Sequence, residues 1–359
     1  MKKMLFLFKG DNMGEYKRIE WVDMLKGFGI ILVMLGHASF PEALVTEIYT
    51  FHMPLFFFLS GYVFFIKKYS NFKDFLIYKA KTLLLPLMVF SIFMTIANTI
   101  FDIVSKIGYS NVIINLKNNI FDIIFQARGI TIVSALWFIG CIFFCQVIFY
   151  LILKIAKEDN LKILIAINIV FVIGVIYRNL INVNLPYSID VSLIAILFLG
   201  LGYLFKRYFE KIKVYFKLKY IVVYLSINIL FGFFNFKSIH ERIDMFYNTY
   251  GNYLFFIISA ISGIFMCITL FYNIKKISIL SYIGKNSLIY YSLHQYIVFK
   301  LIEFIIPRNL FGTSDIGKFF IGVIYAILAC SILYFVSKII NKKLPFILGK
   351  SNSTSTLSA

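Results

Sequence analysis

RIEWVDMLKGFGIILVMLGHASF, residues 18–40, runs from charged residues at one end through an apolar stretch of nearly membrane-spanning length to a histidine. Read as an α-helix at 100° per residue, the steps from Lys26 to His37 close to within about 20° of three full turns, and Asp23 falls within about 40° of the same line. Asp23, Lys26 and His37 therefore share one stripe. At 1.5 Å per residue His37 lies roughly 16 Å above Lys26, past the middle of a hydrocarbon core about 30 Å thick. A polar stripe of that depth is costly in lipid, so it is expected to face protein or water. The plainer alternative is that Lys26 snorkels to the interface, Asp23 pairs with it and His37 takes one hydrogen bond at the outer edge.

The rest of the chain has the same character. Its 359 residues are 60% hydrophobic and 19% aromatic, and only 15% are charged, against roughly 25% in a soluble domain. Forty-two Phe and a mean hydropathy of +0.85 exceed what a soluble core of this size can hide, which excludes a soluble globular protein. Apolar runs bounded by charged or turn residues fall near 22–38, 48–66, 74–100, 130–153, 161–178, 189–206, 219–236, 250–272, 284–306 and 318–340. They are continuously apolar, without the alternation of barrel strands, so each is expected to be a helix. The expected fold is an all-α integral membrane protein, a single bundle of about ten transmembrane helices.

The net charge of +19 and pI near 9.6 come from short basic clusters between apolar runs, which excludes a nucleic-acid face and marks topology. Assigned to the nearest loop, 27 of the 36 Lys and Arg residues fall on one side, with the termini, and 9 on the other. Both termini are therefore expected in the cytoplasm. One polytopic domain is expected over 1–345, followed by a disordered Ser/Thr-rich tail over 346–359. The connection 101–129 suits a short amphipathic segment. At the amino terminus the apolar stretch Met4 to Phe8 is too short for a signal-peptide core, so no cleavage is expected. Cys141, Cys145, Cys267 and Cys330 all lie in apolar runs and read as free, packed thiols.

Four further segments carry chemistry. In TFHMPLFFFLSGYVFFIKK, residues 50–68, Pro54 suits a first helical turn, and His52 falls at about the depth of His37. Two histidines at one level fit an acid/base pair; no third ligand with metal spacing is present, so no metal is expected. Ser60-Gly61 suits close helix contact, and LSGY lacks a nucleophile-elbow pattern. Lys79 and Lys81, where the third span begins, suit either phosphates or lipid headgroups. Trp137 stands at the outer end of the fourth span as an interfacial anchor or a stacking surface for a sugar. On the ninth span Asn286 or Ser287 is expected to cap a helix and leave N–H groups open to an anion, with His294 on the same face near mid-membrane.

Lys26-x10-His37, FHMPLFFFLSGY, YKAKTLLLP, Leu136-Trp137-Phe138 and IGKNSLIYYSLH from Ile283 to His294 follow the order seen in the membrane acyltransferase-3 family. The chain resembles that family over nearly its whole length, and FHMPLFFFLSGY looks most like its fucose 4-O-acetylase-like members. The resemblance implies O-acylation of sugars or cell-surface glycans by a ten-helix core. It also implies a cytoplasmic acyl-CoA co-substrate, acetyl-CoA above all, with no bound cofactor. The first-span motif carries Arg in most of the family; Lys26 here keeps the charge and loses bidentate geometry. Lys79 and Lys81 likewise stand where the family tends to carry arginines.

Together these readings assign catalysis to His37 as general base, with His294 and Asp23 as further candidates, although Asp23 sits too far down the helix to orient His37 directly. Donor binding falls to Lys26, Lys79, Lys81, Asn286 and Ser287, and acceptor binding to His52 and Trp137. The expected partners are acyl-CoA, a sugar, lipid-linked saccharide or surface polysaccharide acceptor, and membrane lipid. The expected location is a cell membrane, the bacterial plasma membrane. A glycan flippase, polymerase or small-solute transporter is the main alternative. Such proteins usually show paired repeats, or Gly- and Pro-interrupted helices at matching positions, and neither is visible here. A scaffold without chemistry would leave the Lys26/His37 stripe unexplained.

Overall fold

In hydrocarbon each backbone N–H and C=O has to be bonded within its own segment, and the chain meets that demand with helices. The computed structural model describes residues 18–126, 128 and 131–350. The amino-terminal stretch read as uncleaved and the tail from 351 lie outside the described residues.

Helix α1 spans Glu20–His37. A short α2, Glu42–Tyr49, turns into α3, His52–Tyr62. Next come α4, Phe72–Lys79, and α5, Leu85–Val104, joined without a break by a π-helical turn over Ala80–Leu84. The long connection folds as α6, Tyr109–Phe125. A 3-10 turn, Ile132–Leu136, leads into α7, Trp137–Ile155, followed by α8, Asn160–Leu180, α9, Ile189–Ile212, α10, Ile221–Ile239, and α11, Tyr253–Asn273. The region of the ninth run is broken into α12, Ser278–Lys285, α13, Ser287–Leu293, a π-helical turn over His294–Phe299, and α14, Lys300–Glu303. The last helix is α15, Asp315–Lys343. A 3-10 turn, Pro345–Leu348, follows it, and Gly349 packs against the carbonyl of Lys81. The domain boundary expected at 345 thus falls inside a docked turn.

Among the described residues eight helical segments are long and apolar enough to cross a membrane. The protein is a multi-pass, all-α integral membrane protein. The two expected runs outside those eight are 22–38, whose helix α1 carries Glu20, Asp23 and Lys26, and 284–306, which is broken at Asn286 and His294. Both belong to the candidate site.

Burial separates central helices from lipid-facing ones. In the 18-residue apolar stretch within Pro186–Tyr215, which contains α9, 83% of residues are buried, against 22% in that within Asn160–Leu180 and 17% in that within Leu218–Ile239. The helices α8 and α10 therefore present Ile, Val and Phe faces outward, and α9 forms the axis of the larger core with α3, α7 and α11. A smaller core joins α5, α13 and α15. Helix α1 contributes Leu25, Leu32 and Val33 to the first and Ile30 and Met34 to the second, so it stands at the seam between them.

Lipid tails are as apolar as leucine, so close packing has to hold such helices together. Two crossings do this with glycine. A Cβ on Gly61 would lie 1.8 Å from the Leu199 carbonyl oxygen, and one on Gly202 would lie 1.9 Å from that of Phe58, which locks α3 to α9. A Cβ on Gly27 would lie 2.1 Å from the Leu280 oxygen, and one on Gly284 would lie 1.8 Å from that of Asp23, which locks α1 to α12. Beside Gly61, the Ser60 hydroxyl accepts a bond of 2.6 Å from Gln146 Nε2, both side chains being buried.

Candidate active site

The seam has a basic end and a histidine end, some 16 Å apart along α1 by the helical rise. At the histidine end, His37 is the last residue of α1 and is half-buried. Its ring centroid lies 5.5 Å from that of His294, the two rings tilted by 39°. His294 is 2% exposed and begins the π-helical turn, a local widening often found at functional positions. Its Nδ1 lies 2.8 Å from the Tyr291 carbonyl and 3.1 Å from that of Tyr290. Two carbonyls can only accept, so Nδ1 carries the hydrogen and Nε2 is left with a free lone pair. Nε2 is buried and has no hydrogen-bond partner among the described residues.

His52 is buried in the first turn of α3, its Nδ1 held 2.9 Å from the Ile48 carbonyl and its ring 4.6 Å from Tyr49. With His294 it is among the groups that act electrostatically on His37, as are two arginines from the adjoining connections, Arg242 and Arg308. Arg308 Nη1 donates to the His37 carbonyl at 3.0 Å and to Ser39 Oγ at 3.3 Å, tying down the end of α1, and Arg308 Nε pairs with Glu303 at 3.1 Å. The Arg242 guanidinium lies 4.3 Å over the Tyr49 ring and pairs with Glu42 and Asp244. Burial holds the Asp244 carboxyl above the usual carboxylate range, partly offset by Arg242. Trp137 is buried, its ring 6.1 Å from both Phe138 and Phe246. It is therefore packed against protein and is no lipid anchor.

At the basic end Lys26 is half-buried, with Asp23 one turn below it and Arg18 close enough to act on it. Asp23 belongs to this end, remote from the histidines. Lys79 is half-buried and lies in the field of Lys68 and Lys26, its ammonium 5.6 Å from the Phe64 ring and 6.0 Å from that of Tyr69. Lys81, two residues on, is exposed and does not join this cluster, because two helical steps turn it to the other side.

The expected cap at the start of the ninth run is corrected by the structure. No side chain caps α13; Asn286 donates to the Tyr282 carbonyl at 2.9 Å and accepts from Asn341 of α15 at 2.7 Å, so its amide is occupied in joining helices. Ser287 is half-buried in the first turn of α13. Among the described residues no group of three His, Cys, Asp or Glu side chains is placed to hold a metal ion.

Sequence reasoning missed Arg242, Arg308, Lys68 and Gln146. Two of these had a signal. The charge bias of the sequence assigns nine basic residues to the side where it gives them no reason to be, and Arg242 and Arg308 are among those nine.

A sequence model of the acyltransferase domain of the acyltransferase-3 family matches residues 19–335. The chain belongs to this family. No curated protein and no solved structure matches it. The matched region runs from the start of α1 into α15 and so contains both ends of the seam. As a member of this family the protein is a membrane acyltransferase.

Proposed function

We propose that the protein moves an acyl group, most simply acetyl, from cytoplasmic acyl-CoA to a hydroxyl of a sugar or surface glycan on the far side of a bacterial plasma membrane. The reading is carried by one observation: a single helix holds Lys26 at one end and His37 at the other on a shared stripe, each beside groups of its own kind. An anionic donor suits the lysine end, where Lys26, Lys68 and Lys79 gather, because ammonium groups bind phosphate as point charges. A hydroxyl acceptor suits the histidine end, where imidazole has the basicity to take its proton near neutral pH.

In this scheme His37 removes the acceptor proton as the hydroxyl oxygen attacks the thioester carbonyl. The carbon–sulfur bond then breaks, and the departing CoA sulfur takes up the proton from the imidazolium. Donor and base meet only if the pantetheine arm threads the seam beside α1, where that helix stands between the two cores. His294 replaces Asp23 as the neighbour of the base, since Asp23 sits roughly 21 Å from His37 by the same rise. Its unpartnered Nε2, on a ring whose centroid lies 5.5 Å from that of His37, is suited to hold or relay the proton.

The test is the transfer rate of His37→Gln in liposomes under saturating acetyl-CoA, with thermal unfolding alongside. Glutamine replaces one hydrogen bond but accepts no proton at neutral pH. The rate should fall by roughly 10²- to 10⁴-fold, the usual range for a general base. A folded variant keeping more than about a tenth of the rate would move the role to His294 or His52. Mass spectrometry of surface glycans with and without the gene identifies the acceptor.

A further inference from the structure

A cavity of about 370 Å³ opens between the turn that follows α3 and the loop that closes α7, lined by Ile66, Lys67, Tyr69, Leu153, Lys154, Lys157 and Glu158. It lies on the same membrane face as Lys26 and Lys79, since Tyr69, one of its walls, is also a ring neighbour of the Lys79 ammonium. Its volume falls at the lower end of small-molecule sites, roughly 300 to 1,000 Å³.

The charge around it is one-sided. Glu158, the acidic member, is already paired with Arg207 of α9, whose Nη2 is 3.0 Å from its carboxylate and whose Nη1 donates to its carbonyl at 2.6 Å. No carboxylate pairs with Lys67, Lys154 or Lys157 among the described residues. Three lysines lining one concavity give it a positive field that favours an anion.

The backbone points the same way. Lys157 and Glu158 have φ of +49° and +58°, the left-handed region that suits glycine, and Glu158 N donates back to the Leu153 carbonyl at 3.2 Å to end α7. Glycine would close the helix without strain, yet two charged residues occupy the positions. Strain of this kind gathers at sites where a side chain has to be aimed.

We propose that this cavity recognises phosphate groups, and that its ligand is the nucleotide end of the acyl-CoA donor, with Lys67, Lys154 and Lys157 serving the 3′-phosphate. This rests on the donor reading above. It divides donor recognition in two, with the 3′-phosphate end held here and the Lys26/Lys79 cluster meeting the diphosphate of the donor as its chain enters the seam.

The same chemistry is present in lipid headgroups, and the test separates the sources. The full-length protein in phosphatidylcholine nanodiscs is titrated with acetyl-CoA and with 3′-dephospho-acetyl-CoA. Wild type should bind acetyl-CoA more tightly by about tenfold or more, the effect of one charge-assisted phosphate contact. A Lys154→Gln, Lys157→Gly variant should bind both probes alike, at the level of the dephospho compound. Because glycine relieves the strained φ, its thermal midpoint should equal or exceed that of Lys154→Gln alone, which separates lost binding from lost folding. A preference kept in full by the variant overturns the proposal. If instead the substitutions abolish only a dependence on added phosphatidylglycerol, the cavity holds a headgroup and the proposal fails. Absence of binding of either probe to wild type would sink the donor reading itself, a result distinct from both.

Discussion

If His37 and His294 handle one proton together, removing both should cost little more than removing one. The perturbation is a double-mutant cycle of His37→Gln, His294→Gln and the pair. At His294, glutamine keeps a donor for the Tyr290 and Tyr291 carbonyls, 3.1 and 2.8 Å from Nδ1 in the wild type, and removes the unpartnered Nε2 lone pair. Each single change should lower the transfer rate about 10²- to 10⁴-fold, or about 2.7–5.4 kcal/mol at 1.36 kcal/mol per decade. Acting independently the two would multiply to about 10⁴- to 10⁸-fold; acting as a unit across rings 5.5 Å apart they should leave the double variant within about a decade of the worse single. The assay is single-turnover transfer from radiolabelled acetyl-CoA to an alkyl glycoside in proteoliposomes, with thermal midpoints measured in parallel. Multiplicative losses in folded protein would refute the shared proton and leave His294 a packing residue.

Other expectations follow from the geometry. Lys79→Ala should raise the KM for acetyl-CoA severalfold, while Lys81→Ala, exposed and turned away from Lys26, should leave it unchanged in steady-state kinetics; equal effects would return both lysines to the membrane interface. Gly284→Ala places a Cβ 1.8 Å from the Asp23 oxygen where ordinary contact begins near 3.4 Å, so α1 and α12 have to part. Overpacking of that kind costs about 1–3 kcal/mol, and thermal unfolding should show a lowered midpoint; an unchanged midpoint would mean the crossing is loose. Cysteine substituted at position 213 should label only from the cytoplasmic side and at position 242 only from outside, and the reverse pattern would invert donor and acceptor faces.

The positions of the helices were legible because apolar runs of membrane length leave little choice of structure in lipid. The stripe of Asp23, Lys26 and His37 was legible for a related reason: helical periodicity is a local property, and α1 is regular. Local rules also failed in identifiable places. Asn286 looked like a cap because the residues around it favour one, but Asn341, 55 positions away, binds its amide. Lys79 and Lys81 looked equivalent until the π-helical turn and the neighbouring Lys68 gave one of them company.

What the sequence determined by itself is the solvent, the helices and the polar line along α1, all of which follow from hydropathy and a period of 3.6 residues. Tertiary structure alone decided which groups meet at each end of that line. His294 faces His37 across 257 residues, and Arg308 reaches back to the end of α1, because glycine crossings at Gly27 and Gly284 bring α12, and the broken segment after it, against α1. Such meetings depend on how closely two backbones approach, a quantity set by side chains on both helices at once and carried by neither segment alone.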